Sequence, residues 1–88
     1  MKIDIYQSTK GENKYISVPK GTKIESLELP ATIDPDLLSL SPFKTRLELD
    51  VSKKQPALDQ EGIINQIEVV GYAIHGAKTT VSLKTKNG

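Results

Sequence analysis

Strict two-residue alternation of apolar and polar side chains recurs in three stretches, and no other feature limits the fold of this chain as tightly. Ile3 and Ile5 alternate with Lys2, Asp4 and Tyr6 in residues 1–8, and Ile16 and Val18 alternate with Tyr15 and Ser17 in residues 14–18. In residues 44–51, Lys44, Arg46, Glu48 and Asp50 alternate with Thr45, Leu47, Leu49 and Val51. A period of two belongs to a strand with one face buried and one face wet, which favours an antiparallel sheet. The polar run Lys10-Gly11-Glu12-Asn13 reads as a turn joining the first two stretches, and Pro19 stops the second. With a four-residue loop, Thr9 faces Lys14, Gln7 faces Ile16 and Ile5 faces Val18. Ile3, Ile5, Ile16 and Val18 then share one face, and Tyr6 and Tyr15 share the other.

The rest of the chain supplies the second layer. Ile24, Leu27 and Leu29 are scattered ahead of Pro30 and predict an irregular connection that lays apolar residues over the core. Asp34 before Pro35 is a cap followed by proline at the first helical position, so a short helix is expected over 35–40, stopped by Pro42. Asp59 caps a longer helix over 60–70, with Glu61 in its first turn, Ile63, Ile64, Ile67 and Val70 as its apolar stripe, and Gly71 as its stop. Gly62 inside that helix costs ~1 kcal/mol relative to alanine. Further strands are expected at 72–75 and 79–84. The fold class is therefore α+β, a two-layer sandwich of four to five antiparallel strands (about 2–8, 14–18, 44–51, 72–75 and 79–84) with both helices on one face. One domain spans 1–85, and 86–88 read as a frayed tail.

Composition narrows the chemistry. The chain has 88 residues, 36% of them apolar, one histidine and no cysteine. Thiolate nucleophiles, disulfides and cysteine-ligated metal are thereby excluded. No apolar run approaches the ~20 residues of a membrane span and no signal-peptide pattern opens the chain, so a cytoplasmic protein with no membrane contact is expected. The net charge of +1 resolves into +3 over residues 1–24, −4 over 25–50 and +2 over 51–88. No block of five like charges stands out as a strong attractor of nucleic acid.

Three stretches in order carry a resemblance. They are Asp4-Ile5-Tyr6-Gln7-Ser8 with Lys14-Tyr15 and Val18, then Leu47-Glu48-Leu49 with Lys53-Lys54, then Asp59 leading to Ile63, Ile67 and Gly71-Tyr72-Ala73-Ile74. Over residues 1–75 the chain resembles the YcgL-like domain, a small bacterial family with no established biochemical activity. The resemblance implies a compact domain with helices on an antiparallel sheet. Gln7 stands where the family has an arginine, and Gln55-Pro56 interrupts its KKL stretch. Another group of short bacterial proteins, opening on an IYR-type strand and ending in GYAI, shares the same pattern.

The residues facing away from the helices form the candidate binding face: Tyr6, Tyr15, Arg46, Glu48, His75 and Lys84. Such a face reads first as a solvated surface with cross-strand ion pairs, and second as a contact surface with amphipathic rings. Lys53-Lys54 is a candidate contact for phosphate or an acidic partner. His75, a candidate base beside Glu48 or Asp50, lacks any spacing that supports a Ser-His-Asp set, and no catalytic residue is assigned. One histidine among scattered carboxylates makes no metal site, and the glycines form no phosphate loop, so neither metal nor cofactor is expected. The leading expectation is a non-catalytic module that binds a protein partner, or itself, through the open sheet face or an edge strand. Single-stranded RNA stacked on Tyr6 and Tyr15 is the alternative, opposed by Asp4, Glu48 and Asp50 on the same face. A small enzyme centred on His75 comes last.

Overall fold

The computed structural model describes residues 1–50, 52 and 59–76. It is an α+β fold with a four-stranded antiparallel sheet and one α-helix. The strands are β1 (Lys2–Ser8), β2 (Tyr15–Pro19), β3 (Leu40–Glu48) and β4 (Ala73–His75), in the spatial order β3-β1-β2-β4. Helix α1 spans Gln60–Val70, and two 3-10 turns, Ile24–Ser26 and Pro35–Leu38, lie between β2 and β3. Among the described residues no helix is long and apolar enough to cross a membrane. The expected strand at 79–84 and the tail at 86–88 lie outside the described residues.

Helix α1 forms as its ends predict. The Asp59 carboxylate accepts from the Gly62 N–H (3.1 Å), and Gly71 closes the last turn with φ 90° while its N–H donates to Ile67 O (2.8 Å). Only glycine adopts that left-handed angle without cost. Ile63 and Ile67 are buried and Ile64 packs beside them, but Val70 is exposed because it ends the helix. The short helix at 35–40 is a 3-10 turn ending at Leu38, capped by Asp34 as expected.

The β1–β2 register differs by one residue from the expected one. Asp4 faces Val18, Ile5 faces Ser17, Tyr6 faces Ile16 and Gln7 faces Tyr15. The cause is the loop. Ser8 N–H donates to Lys14 O, so five residues, not four, lie between the paired ends, and Asn13 takes φ 58°, which asparagine tolerates. A slip of one turns Ile16 and Val18 to the other face. Ile3 and Ile5 point at α1, where they form the core with Leu49, Ile63, Ile67 and Ala73. Ile16 and Val18 point the opposite way and are also fully buried.

Among the described residues the hairpin is therefore buried on both faces. On its second face the 3-10 turn Pro35–Leu38 packs against β1. Leu37 is buried there, and Ser8, which points to the same side as Tyr6, donates from its hydroxyl to Asp36 O (2.7 Å). The 3-10 turn Pro35–Leu38 thus packs on the face opposite α1, not beside it. Lys14 fastens it further by pairing with Asp34 (2.7 Å) and Asp36 (2.8 Å).

Strand β3 begins four residues before the expected start at 44 and ends before 51. Pro42 lies inside it, which an edge strand permits. Two irregularities add residues to β3 against β1, one between Ile3 and Ile5 and one between Ile5 and Tyr6. Arg46, at φ 57°, occupies the first, and its N–H is held by the Asp4 carboxylate (2.9 Å). The clean alternation of 44–51 is broken there, leaving Thr45 exposed and Leu47 only half-buried. Burial on both faces sets a mutational expectation. Ile16→Ala should cost ~2–5 kcal/mol in urea unfolding, as for a packed aliphatic, whereas a cost under ~0.5 kcal/mol, typical of a surface site, would contradict the second covered face.

Candidate functional site

The six residues expected on one wet face are distributed over both faces and an edge. Tyr6 is half-buried on the face of Ile16, with Pro42 across from it on β3. Tyr15 lies on the α1 face, where its ring stacks on His75 (centroids 5.8 Å, 15° apart) and meets Phe43 at a tilt (5.1 Å, 58°). Arg46 is exposed at the β3 bulge, and Glu48 is exposed with its carboxylate on the amino group of Met1 (2.8 Å). Lys53, Lys54 and Lys84 lie outside the described residues. Of the expected site residues that are described, the structure brings together Tyr15 and His75. Because Tyr6 and Tyr15 sit on opposite faces, they do not form one stacking platform.

His75 is the largest departure from the expected surface. It is 1% exposed, and its side-chain hydrogen-bond partner on β2 is Ser17, also expected in water and 0% exposed. The hydrogen-bond roles follow from the chemistry of the partners. Gly76 O only accepts, so Nδ1 (2.8 Å away) carries the proton, and in the neutral ring Nε2 then accepts from the Ser17 hydroxyl (2.6 Å). This order of donors resembles a hydroxyl nucleophile beside its base. Both groups are buried, and the pair links β2 to β4 as a polar clamp. The acids expected beside His75 are engaged elsewhere, Glu48 with Met1 and Asp50 with Ser52. A side chain at Gly76 would come within 2.9 Å of the Asn13 amide, so the αL residue of the hairpin also closes over this end of β4. Among the described residues no three His, Asp or Glu side chains are grouped to hold a metal.

Electrostatics elsewhere serve the fold. The Arg46 N–H, followed by the Gly21 N–H, holds the Asp4 carboxyl below its ordinary range. One carboxylate thereby pins the bulge of β3 and the turn after β2. The Asp34 and Asp36 carboxylates raise Lys14.

Among the described residues the sheet ends on β3 and β4, and these two edges differ. Strand β3 exposes Pro42, Phe43, Lys44 and Arg46. Phe43 is 47% exposed although its ring rests on Tyr15. On β4, the outward N–H and C=O of Ile74 are both taken by the Gln66 side chain of α1 (3.0 and 3.2 Å). Neither Phe43 nor Gln66 was singled out from sequence. The lone phenylalanine between Pro42 and a run of cations was the available signal for the first; for the second there was none.

Burial is the main cause that pushes His75 below its ordinary 6.5, with the Gly76 carbonyl and the Asp59 charge opposing it. The folded chain then binds fewer protons than the unfolded one near that pH, so stability is full above about 6.5 and falls as pH drops below it. Unfolding free energy measured by denaturant between about pH 7.5 and 5 should show this loss, and His75→Gln should flatten it. A wild-type profile already flat over that window would contradict a buried neutral imidazole. In comparisons with family models, curated proteins and solved structures, nothing matches this chain.

Proposed function

We propose that this chain is a non-catalytic protein-interaction module that meets its partner along the β3 edge, with Phe43 at the centre of the contact. The observation that carries the reading is a half-exposed aromatic ring already seated on a second ring, on a strand unpaired along its outer side among the described residues. A ring held in place before binding loses little entropy on contact, and aromatic and arginine side chains dominate contact energies. Lys44 and Arg46 flank it in water, while the nearest strand carboxylate, Glu48, is paired with the Met1 amino group. Pro42 and the two register shifts disfavour simple strand addition, so recognition falls to side chains. The contact is placed at the β3 side of the sheet and not over the β1–β2 hairpin, whose apolar side chains are buried on both faces. The YcgL-like resemblance, a bacterial source and a cytoplasmic location belong to the same proposal, with the partner a protein or a second copy.

A photo-crosslinking amino acid placed at position 43 should trap a discrete adduct in cells that the same group at exposed position 65 does not. Arg46→Glu should weaken that adduct without changing the far-UV spectrum. Equal trapping at both positions, or none at 43, would remove β3 as the contact.

A further inference from the structure

We propose that β4 is a latent self-pairing edge that Gln66 holds closed, and that release of the Gln66 amide lets β4 pair antiparallel with β4 of a second copy. Tyr15 faces His75 and Ser17 faces Ala73, so between them the polar backbone groups of Ile74 point away from β2. Ile74 N–H donates to Gln66 Oε1 (3.0 Å), and Gln66 Nε2 donates to Ile74 O (3.2 Å). One side-chain amide thus makes the two-bond exchange that a residue on a neighbouring strand would make.

The contrast with β3 shows why this contact matters. Edge strands are ordinarily guarded by proline, bulges or charged side chains. β3 has all three, in Pro42, its two register shifts, and Lys44 with Arg46. Ala73-Ile74-His75 has no proline, no Lys, Asp or Glu, and a regular register with β2. Among the described residues Gln66 is the guard on that strand, and its side chain is half-buried.

A second copy fits the exposed groups better than any unlike strand. About a two-fold axis Ile74 lies opposite Ile74 of the second copy, and two residues directly opposite exchange both N–H···O bonds. No like charges oppose each other across that axis within β4. The inference does not rest on β3 being the partner-binding edge, and its test leaves β3 untouched.

Gln66→Met keeps the length of the side chain and removes its hydrogen bonds. In dilute Gln66→Met the Ile74 amide should exchange with solvent at least about tenfold faster than in wild type, since it loses its only hydrogen bond. Ala73 and His75 should change little. Sedimentation at rising concentration should then show a dimer that wild type does not form. Gln66→Glu keeps an acceptor for Ile74 N–H but turns a second oxygen on Ile74 O. Its Ile74 protection should fall between wild type and Gln66→Met, and the added charge facing its copy across the two-fold axis should keep it monomeric. In the wild-type chain, a scalar coupling across the hydrogen bond from Ile74 N to the Gln66 side-chain carbonyl should be detectable, which needs no variant to fold. Unchanged Ile74 exchange in Gln66→Met, a monomer at every concentration, or no such coupling in wild type would overturn the proposal.

Discussion

The five-residue loop between β1 and β2 is the constraint from which the rest of this fold follows. Ser8 holds that loop from inside: its hydroxyl accepts from the Lys10 and Gly11 N–H groups (3.0 Å each) and donates to Asp36 O. With Asn13 in the left-handed region, the chain returns one residue out of step with a one-sided hairpin. Ile16 and Val18 then need a cover of their own, and burying side chains of that size contributes ~1.5–3 kcal/mol each. The stretch around the 3-10 turn Pro35–Leu38 lies on that face, tied down by Ser8, by Lys14, and by the Thr9 N–H on Ser39 O (2.8 Å).

A small chain with few apolar residues must satisfy its irregular backbone with side chains. Asp4 serves the β3 bulge and the turn at Gly21, the buried Gln60 accepts from Asp50 N–H (2.8 Å), and Gln66 closes Ile74. The Ser17–His75 pair completes this set by linking β2 to β4 inside the core. Leaving the buried Ser17–His75 pair without its hydrogen bond costs ~1–3 kcal/mol, so that pair holds its two strands together. The same economy directs function outward. Among the described residues the hairpin is buried on both faces and the β4 edge is engaged, while the β3 edge carries Phe43 half-exposed with its ring seated on Tyr15.

Local chemistry made the elements legible in the sequence and left their faces hidden. The limits of α1 could be read because Asp59 and Gly71 act within one turn of the helix. The hairpin and the presence of β3 followed from a period of two. Register did not, because loops of four and five residues fit the same polar run and differ in parity, and parity decides every face. Tyr15, Ser17 and His75 went to the wet side for that single reason. The bulge at Arg46 depends on a carboxylate 42 positions away, and the closure of β4 on an amide that no pattern marks, so neither has a local signature.

Register is also what experiment reaches most directly. In an antiparallel pair, residues facing each other without mutual hydrogen bonds bring their Cα groups closest. Ser8 with Lys14 and Lys20 with Lys2 share hydrogen bonds in this hairpin, which makes Ile5 and Ser17 such a close pair. A solution nuclear Overhauser spectrum should therefore show a strong contact between the α-protons of Ile5 and Ser17. A strong contact between those of Ile5 and Val18 in its place would restore a one-sided sheet and contradict the account.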